Sequence, residues 1–345
     1  MGSDRFCPRE DLVAGHLHVV RLARVFLECG DDLVLCPAGL ESAFASNHQL
    51  PLRPESIHKV QDRRLLGLIS SGFRRAAPVV VAVLMLEACA PSHAPQVTAP
   101  PPRHVFLIVM ENHTSDQALR GPFTASLAAK YRVAANYRAI THPSVPNYLA
   151  LTSGQTWGVQ DDGYYVLPQA DIGHQFTTAG ISWRAYMDGL TDRGCLNSPL
   201  PYDPGHNPFA YYGGRCPSTV VPLTSLSGDL AQSGPLFSWI SPDDCHNGHS
   251  CSVSVADLWL LETVTLITRS DAWKANGVVF VTWDEDDRSG DNHVLTLVIA
   301  PGLTHLVSNQ AYNHYSLLAT IEDLLGVGRL GAAAGARTMQ DLLSH

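Results

Sequence analysis

Residues 104–110, His-Val-Phe-Leu-Ile-Val-Met, run directly into Glu111-Asn112-His113, and the fold turns on that join. Apolar residues in unbroken succession, without polar alternation, read as a strand buried on both faces, the condition of a parallel sheet covered by helices. Comparable runs recur at 182–187, 236–241, 278–283 and 294–300, and helical patterns at 122–131, 146–152, 253–269 and 316–325. Strands that alternate with helices predict an α/β domain whose mainly parallel sheet is sandwiched by helices. No repeat and no linker interrupts residues 103–345, which therefore read as one domain.

In such sheets a ligand sits beyond the carboxyl ends of the strands. Three polar clusters fall there: Glu111-Asn112-His113 after the first run, residues 243–249 (Asp-Asp-Cys-His-Asn-Gly-His) after 236–241, and Asp284-Glu285-Asp286-Asp287 after 278–283. Their coincidence at one sheet edge is the main signal for function.

Composition narrows the classes. Hydrophobic residues make up 45% and charged residues 16% of the 345, enough apolar material for a large core and too few charges for a disordered chain. The net charge of -9 has the wrong sign for wrapping a phosphate backbone, so no nucleic-acid partner is expected. Residues 1–89 balance ten acids with ten bases, and the excess of acid lies beyond them.

The first hundred residues read as a leader. Arg74-Arg75, the apolar run 76–86 and Leu86-Glu87-Ala88-Cys89 follow the order of a signal peptide, over 61–89, ending in a lipobox-like site. The run is too short for a membrane-spanning helix, which needs about 20 residues, and a buried apolar segment is the alternative. Cys89 is the lipidation candidate, although Glu87 is unusual in that box. Residues 1–60 have no place ahead of an export signal and are read as an over-extended start. The Pro-rich segment 90–102 suits a semi-rigid tether. The expectation is an exported protein, either secreted or a cell-surface lipoprotein tethered through Cys89.

Cys195, Cys216, Cys245 and Cys251 remain in the domain. An even count in an exported chain predicts disulfides, and proximity favours Cys195 with Cys216 and Cys245 with Cys251; zinc ligation is the rival, without C-x-x-C spacing to support it.

Clustered carboxylates raise one another's pKa unless they share a cation. Glu111, Asn112, Asp284 and Glu285 offer hard oxygen ligands for calcium, magnesium or manganese, and His249 and His314 could add nitrogen ligands that favour zinc or iron. A solvated acidic loop is the alternative for 284–287. Ser144 in Thr141-His142-Pro143-Ser144-Val145-Pro146-Asn147-Tyr148 is the nucleophile candidate: Pro146 fits a first helical turn, so the hydroxyl would stand where free N–H groups attract an anion. A plain helix-start serine is the alternative. A Ser-His-Asp hydrolase is a competitor, but no G-x-S-x-G elbow supports it, and no P-loop supports ATP binding.

The blocks 109–113, 141–151 with Gly154, 205–209, 240–249, 257–260, 281–287 and 314–318, in this order, resemble bacterial phosphoesterases of the alkaline phosphatase superfamily, a group of acid phosphatases and phospholipase C type enzymes. The resemblance covers about 104–328. It implies an alkaline phosphatase-like fold, a phosphoserine at Ser144, substrate contacts from Asn147 and His142, and a divalent metal on Glu111, Asn112, Asp284 and Glu285. It also implies that His206, His249 and His314 serve near the phosphate as ligands, phosphate donors or the acid for the leaving group, with Asp257 orienting one of them. Asn247 stands where members often carry Asp, and Gly205 where Lys is usual, so one firmly held metal is expected. The expected activity is hydrolysis of phosphate monoesters, on a phosphorylated small molecule or a phospholipid; the alternatives are a phospholipase C type phosphodiesterase and a non-catalytic phosphate- or phospholipid-binding lipoprotein.

Overall fold

The computed structural model describes residues 104–344. The readings of the leader, the lipidation site Cys89 and the tether lie outside them.

Eight strands form one sheet: β1 (Val105–Met110), β2 (Arg132–Arg138), β3 (Trp183–Met187), β4 (Val220–Pro222), β5 (Phe237–Ser241), β6 (Val278–Trp283), β7 (Thr296–Ile299) and β8 (Leu306–Asn313), in the order β4-β3-β5-β1-β6-β7-β2-β8. Every pairing is parallel except those of β7, which runs against both β6 and β2. The helices are α1 (Ser115–Ala118), α2 (Pro122–Lys130), α3 (Ser144–Ser153), α4 (Ile172–Ala179), α5 (Leu226–Leu230), α6 (Val253–Arg269), α7 (Asp271–Asn276) and α8 (His314–Leu325). This is the mainly parallel, helix-sandwiched sheet that the apolar runs predict.

β1 occupies the middle, paired in register with β5 through Val105–Phe237 and with β6 through Val105–Val278. All six of its residues are buried, as are those of β6. Truncating a side chain such as Leu107 there would cost about 2–5 kcal/mol, because the packed neighbours cannot collapse into the gap. Continuous burial at the centre holds the carboxyl ends of β1, β5 and β6 side by side, and these ends carry the polar clusters.

α3 ends at Gly154, whose φ of 68° is left-handed; a Cβ there would lie 2.3 Å from the Leu330 carbonyl oxygen. Both constraints select glycine. Both proposed disulfides are present, Cys195–Cys216 and Cys245–Cys251, and zinc ligation by these residues is excluded. No helix among the described residues is long and apolar enough to cross a membrane.

Candidate active site

Backbone bonds stitch the strand ends together. The Asp284 N–H donates to the Met110 carbonyl at 2.9 Å and the Glu111 N–H to the Asn247 carbonyl at 3.1 Å, which brings the segments after β6, β1 and β5 to one place. Asn112 turns the chain with a left-handed φ of 48°, a conformation that asparagine tolerates, and its N–H donates to Oδ1 of Asp284 at 3.2 Å. Ser144 is the first residue of α3, behind a proline N-cap.

The Ser144 hydroxyl donates to Oε2 of Glu111 at 3.1 Å. The other oxygen, Oε1, lies 3.1 Å from Nε2 of His206, a ring stacked on Tyr148 with centroids 5.4 Å apart. Glu111 and Asp284 are fully buried; Oε1 of Glu111 has the His206 ring as its neighbour, and Oδ2 of Asp284 has no hydrogen-bond partner. Burial pushes Glu111 up to about 8, with repulsion from Glu285 adding to it and the hydroxyls of Tyr148 and Ser144 offsetting part. Burial, then the charges of Glu111 and Glu285, hold Asp284 well above the carboxylate range. Glu285 is raised to about 7, chiefly by burial, with His142 opposing. Perturbed groups that converge on a hydroxyl at a strand edge mark a site.

An open cleft of about 530 Å³ leads to Ser144 between Asn112, His113, Asp162, His249 and residues 285–288. The unpartnered Oδ2 of Asp284 at its base tests the metal expectation. Buried carboxylate oxygens without donors are costly unless a cation takes them, and Glu111 and Asp284 supply hard oxygens suited to a divalent ion. The residues fit such an ion. Two further acid and histidine groups could coordinate one, Asp203 with His206 and Asp244, and Asp188 with Asp243 and His246.

Several residues proposed from sequence stand elsewhere than expected. Asn147 is fully buried with its amide consumed: Oδ1 accepts from the N–H groups of Ile140 and Thr141, and Nδ2 donates to the carbonyls of Thr141 and Pro143 and to Glu285. It shapes the turn before Ser144 and holds Glu285, leaving no group for a phosphoryl oxygen. His142 lies 3.0 Å from Glu285 and 3.3 Å from Asp286, a partner of the acidic run. His314 is buried between the Tyr137 hydroxyl, 2.9 Å from Nδ1, and the Asp284 carbonyl, which accepts from Nε2 at 2.6 Å; burial lowers it to about 4, so it is a neutral prop for Asp284 with no nitrogen left for metal or phosphate. Asp257 orients no histidine, since its carboxylate accepts from the N–H groups of Phe123 and Thr124 at the start of α2. His249 does reach the cleft, with its ring 6.2 Å from that of His206.

Sequence reasoning missed Asp162, which reaches the cleft from the loop after α3, and Asp203, which groups with His206 and Asp244, the last 3.4 Å from Nδ1 of His206. Neither sits in an apolar-to-acidic junction, the signal that exposed the others.

The Phosphoesterase family profile matches residues 118–328. A phosphatidylinositol-3-phosphatase of Mycobacterium tuberculosis is 30% identical over 247 residues, covering 69% of this chain and 82% of that protein. A phosphate-repressible acid phosphatase of Penicillium chrysogenum is 28% identical over 243 residues, 65% of this chain and 59% of that one. In fold, the chain is similar to a protein of the alkaline phosphatase superfamily from Vibrio parahaemolyticus, with a TM-score of 0.51 at 12% identity over 70% of this chain and 71% of that one. With that match and these relatives around a buried serine-carboxylate centre, the chain belongs to the phosphoesterase family, hydrolases of phosphoric esters.

Proposed function

We propose that this protein is an exported, metal-dependent phosphomonoesterase that works through a phosphoserine at Ser144. The observation that carries the reading is the Ser144 hydroxyl hydrogen-bonded to Glu111 at the head of a helix, with the unpartnered Oδ2 of buried Asp284 beneath it. The Ser144 Oγ attacks phosphorus while its proton leaves along the bond toward Glu111, and the P–O bond to the leaving group breaks. His249, facing the cleft, protonates the departing oxygen; water then cleaves the phosphoserine, releasing inorganic phosphate and restoring the hydroxyl. Glu111, Asp284 and Asn112, with Glu285 at the rim, would hold a divalent ion, which when bound supplies Lewis acidity toward the phosphoryl oxygens and lowers the serine pKa. His206 steadies Glu111 and His314 steadies Asp284. The two disulfides suit an oxidising compartment, which supports export.

A phosphomonoester on a phospholipid headgroup is the second substrate reading, favoured by the named activity of the mycobacterial relative and an open cleft. The test is release of phosphate from p-nitrophenyl phosphate and from a short-chain phosphatidylinositol 3-phosphate, with and without chelator, alongside Ser144→Ala. Turnover that survives both the chelator and the substitution would overturn the mechanism. An anomalous-scattering map of crystals grown with candidate ions would identify the metal.

A further inference from the structure

We propose that the carboxylate of Asp162 is a displaceable occupant of the phosphoryl position beside Ser144, so that a substrate must expel it to bind. The inference rests on the phosphatase reading and concerns regulation of the same site. Oδ1 of Asp162 accepts from the Val145 N–H at 3.1 Å, the amide that follows the nucleophile in the first turn of the ten-residue α3. N–H groups in that turn lack partners within the helix and favour an anion. Pro146 has no N–H to offer, which concentrates the role on its neighbours. A second observation points to a ligand here: Oδ2 of the fully buried Asp284, without a hydrogen-bond partner, lies under the same hydroxyl.

Asp162 differs from the other carboxylates of the cleft in how it is held. Glu285 has His142 and Asn147, Asp286 has the N–H groups of Arg288 and Asn292, and Asp287 has Gln117 and Ser289. The Asp162 carboxylate has the Val145 amide and, among the described residues, no ion pair. It is exposed on the stretch between α3 and α4, which lacks regular structure around it. It can therefore swing out without breaking a buried network. While in place, its charge repels an incoming dianion and competes for the same donor. After turnover, the same competition favours departure of inorganic phosphate.

Asp162→Asn keeps the shape and removes the charge; Asp162→Ala removes the occupant. Binding of inorganic phosphate is measured by calorimetry on the full chain, parent and both variants, at low and high salt, with thermal melts to confirm folding. Both variants should bind phosphate about 10-fold more tightly at low ionic strength, with the Asn gain shrinking as salt screens the repulsion it relieves. Affinity that is unchanged or weaker in both variants would overturn the proposal and make Asp162 a helix cap or a substrate-binding group. Because phosphate binding is read without turnover, this failure is separate from that of the phosphatase reading, which would show as a parent protein that hydrolyses no phosphomonoester.

Discussion

Ser144 and Glu111, 33 residues apart in the chain, meet because α3 begins over the carboxyl end of β1, and the serine hydroxyl donates to the glutamate at 3.1 Å. A hydroxyl alone at a helix start is ordinary. Placed against a buried carboxylate whose second oxygen is held by His206, it is aimed at whatever fills the cleft.

Ser144→Ala should therefore leave the fold intact and abolish turnover. Losing the hydroxyl removes one hydrogen bond, worth about 1 kcal/mol, whereas losing a nucleophile removes the covalent route, an effect of about three orders of magnitude or more in kcat. Thermal melting and initial rates on p-nitrophenyl phosphate check both halves, and a variant with near-parental rate refutes the assignment.

The four acids at 284–287 should separate into distinct behaviours. Asp284→Asn should lose bound metal and activity together, since it removes charge from the buried cluster. Glu285→Gln should weaken both to a smaller degree, because His142 and Asn147 already share its load. Asp286 instead closes the loop through the N–H groups of Arg288 and Asn292, so Asp286→Asn should lower the melting temperature. Asp287, hydrogen-bonded at the surface to Gln117 and Ser289, should tolerate Asn. Bound metal, rate and melting temperature for the four variants decide the matter; identical behaviour would mean an acidic loop without a ligand role.

How far the sequence reaches is visible in the same residues. β1 and β6 are continuous apolar runs because both of their faces are covered, and Glu111 and Asp284 are legible because each ends such a run. β2 and β8 escape notice. β8 is an edge strand exposed over much of its length and β2 is half-buried beside it, so neither carries an unbroken apolar signal. Asn147 and His314 are legible from their motifs, but a motif preserves identity without saying which way a side chain points, and the fold turns Asn147 to Glu285 and His314 to the Asp284 carbonyl. Asp257 is the same lesson, an acid that caps α2 from a distant helix. Asp162 has no sequence signature, since its meaning comes only from the amide it meets.

Reduction of the disulfides should have two separable consequences. Cys195–Cys216 spans 21 residues and Cys245–Cys251 spans 6, so loop closure restrains the unfolded chain by about 3 and about 2 kcal/mol respectively. The shorter loop carries Asn247, which accepts from the His249 N–H at 2.7 Å and whose amide lies 3.2 Å from the His206 ring. Paired Cys→Ser replacement at 195 and 216 should mainly lower the melting temperature, and at 245 and 251 should also lower kcat/KM. Equal effects on activity from the two pairs would contradict this division.

Glu322 should make stability fall as pH rises. It lies fully buried on α8, with Oε1 accepting from the Leu330 N–H at 2.8 Å and Oε2 without a partner. Burial pushes its carboxyl from 4.5 to about 8, only partly offset by the Leu330 amide and the charge of Arg329. Between those values the folded chain keeps a proton that the unfolded chain has released, so the unfolded state binds fewer protons and stability declines through that window. The favourable contribution is complete below the lower value and gone above the higher. Glu322→Gln keeps an acceptor for Leu330 and never ionises. Its melting temperature should match the parent near pH 4 and exceed it by a few degrees at pH 8, with kcat unchanged because Glu322 does not line the catalytic cleft. A variant that melts below the parent at pH 8 would show that the ionised carboxylate is stabilised in the fold after all.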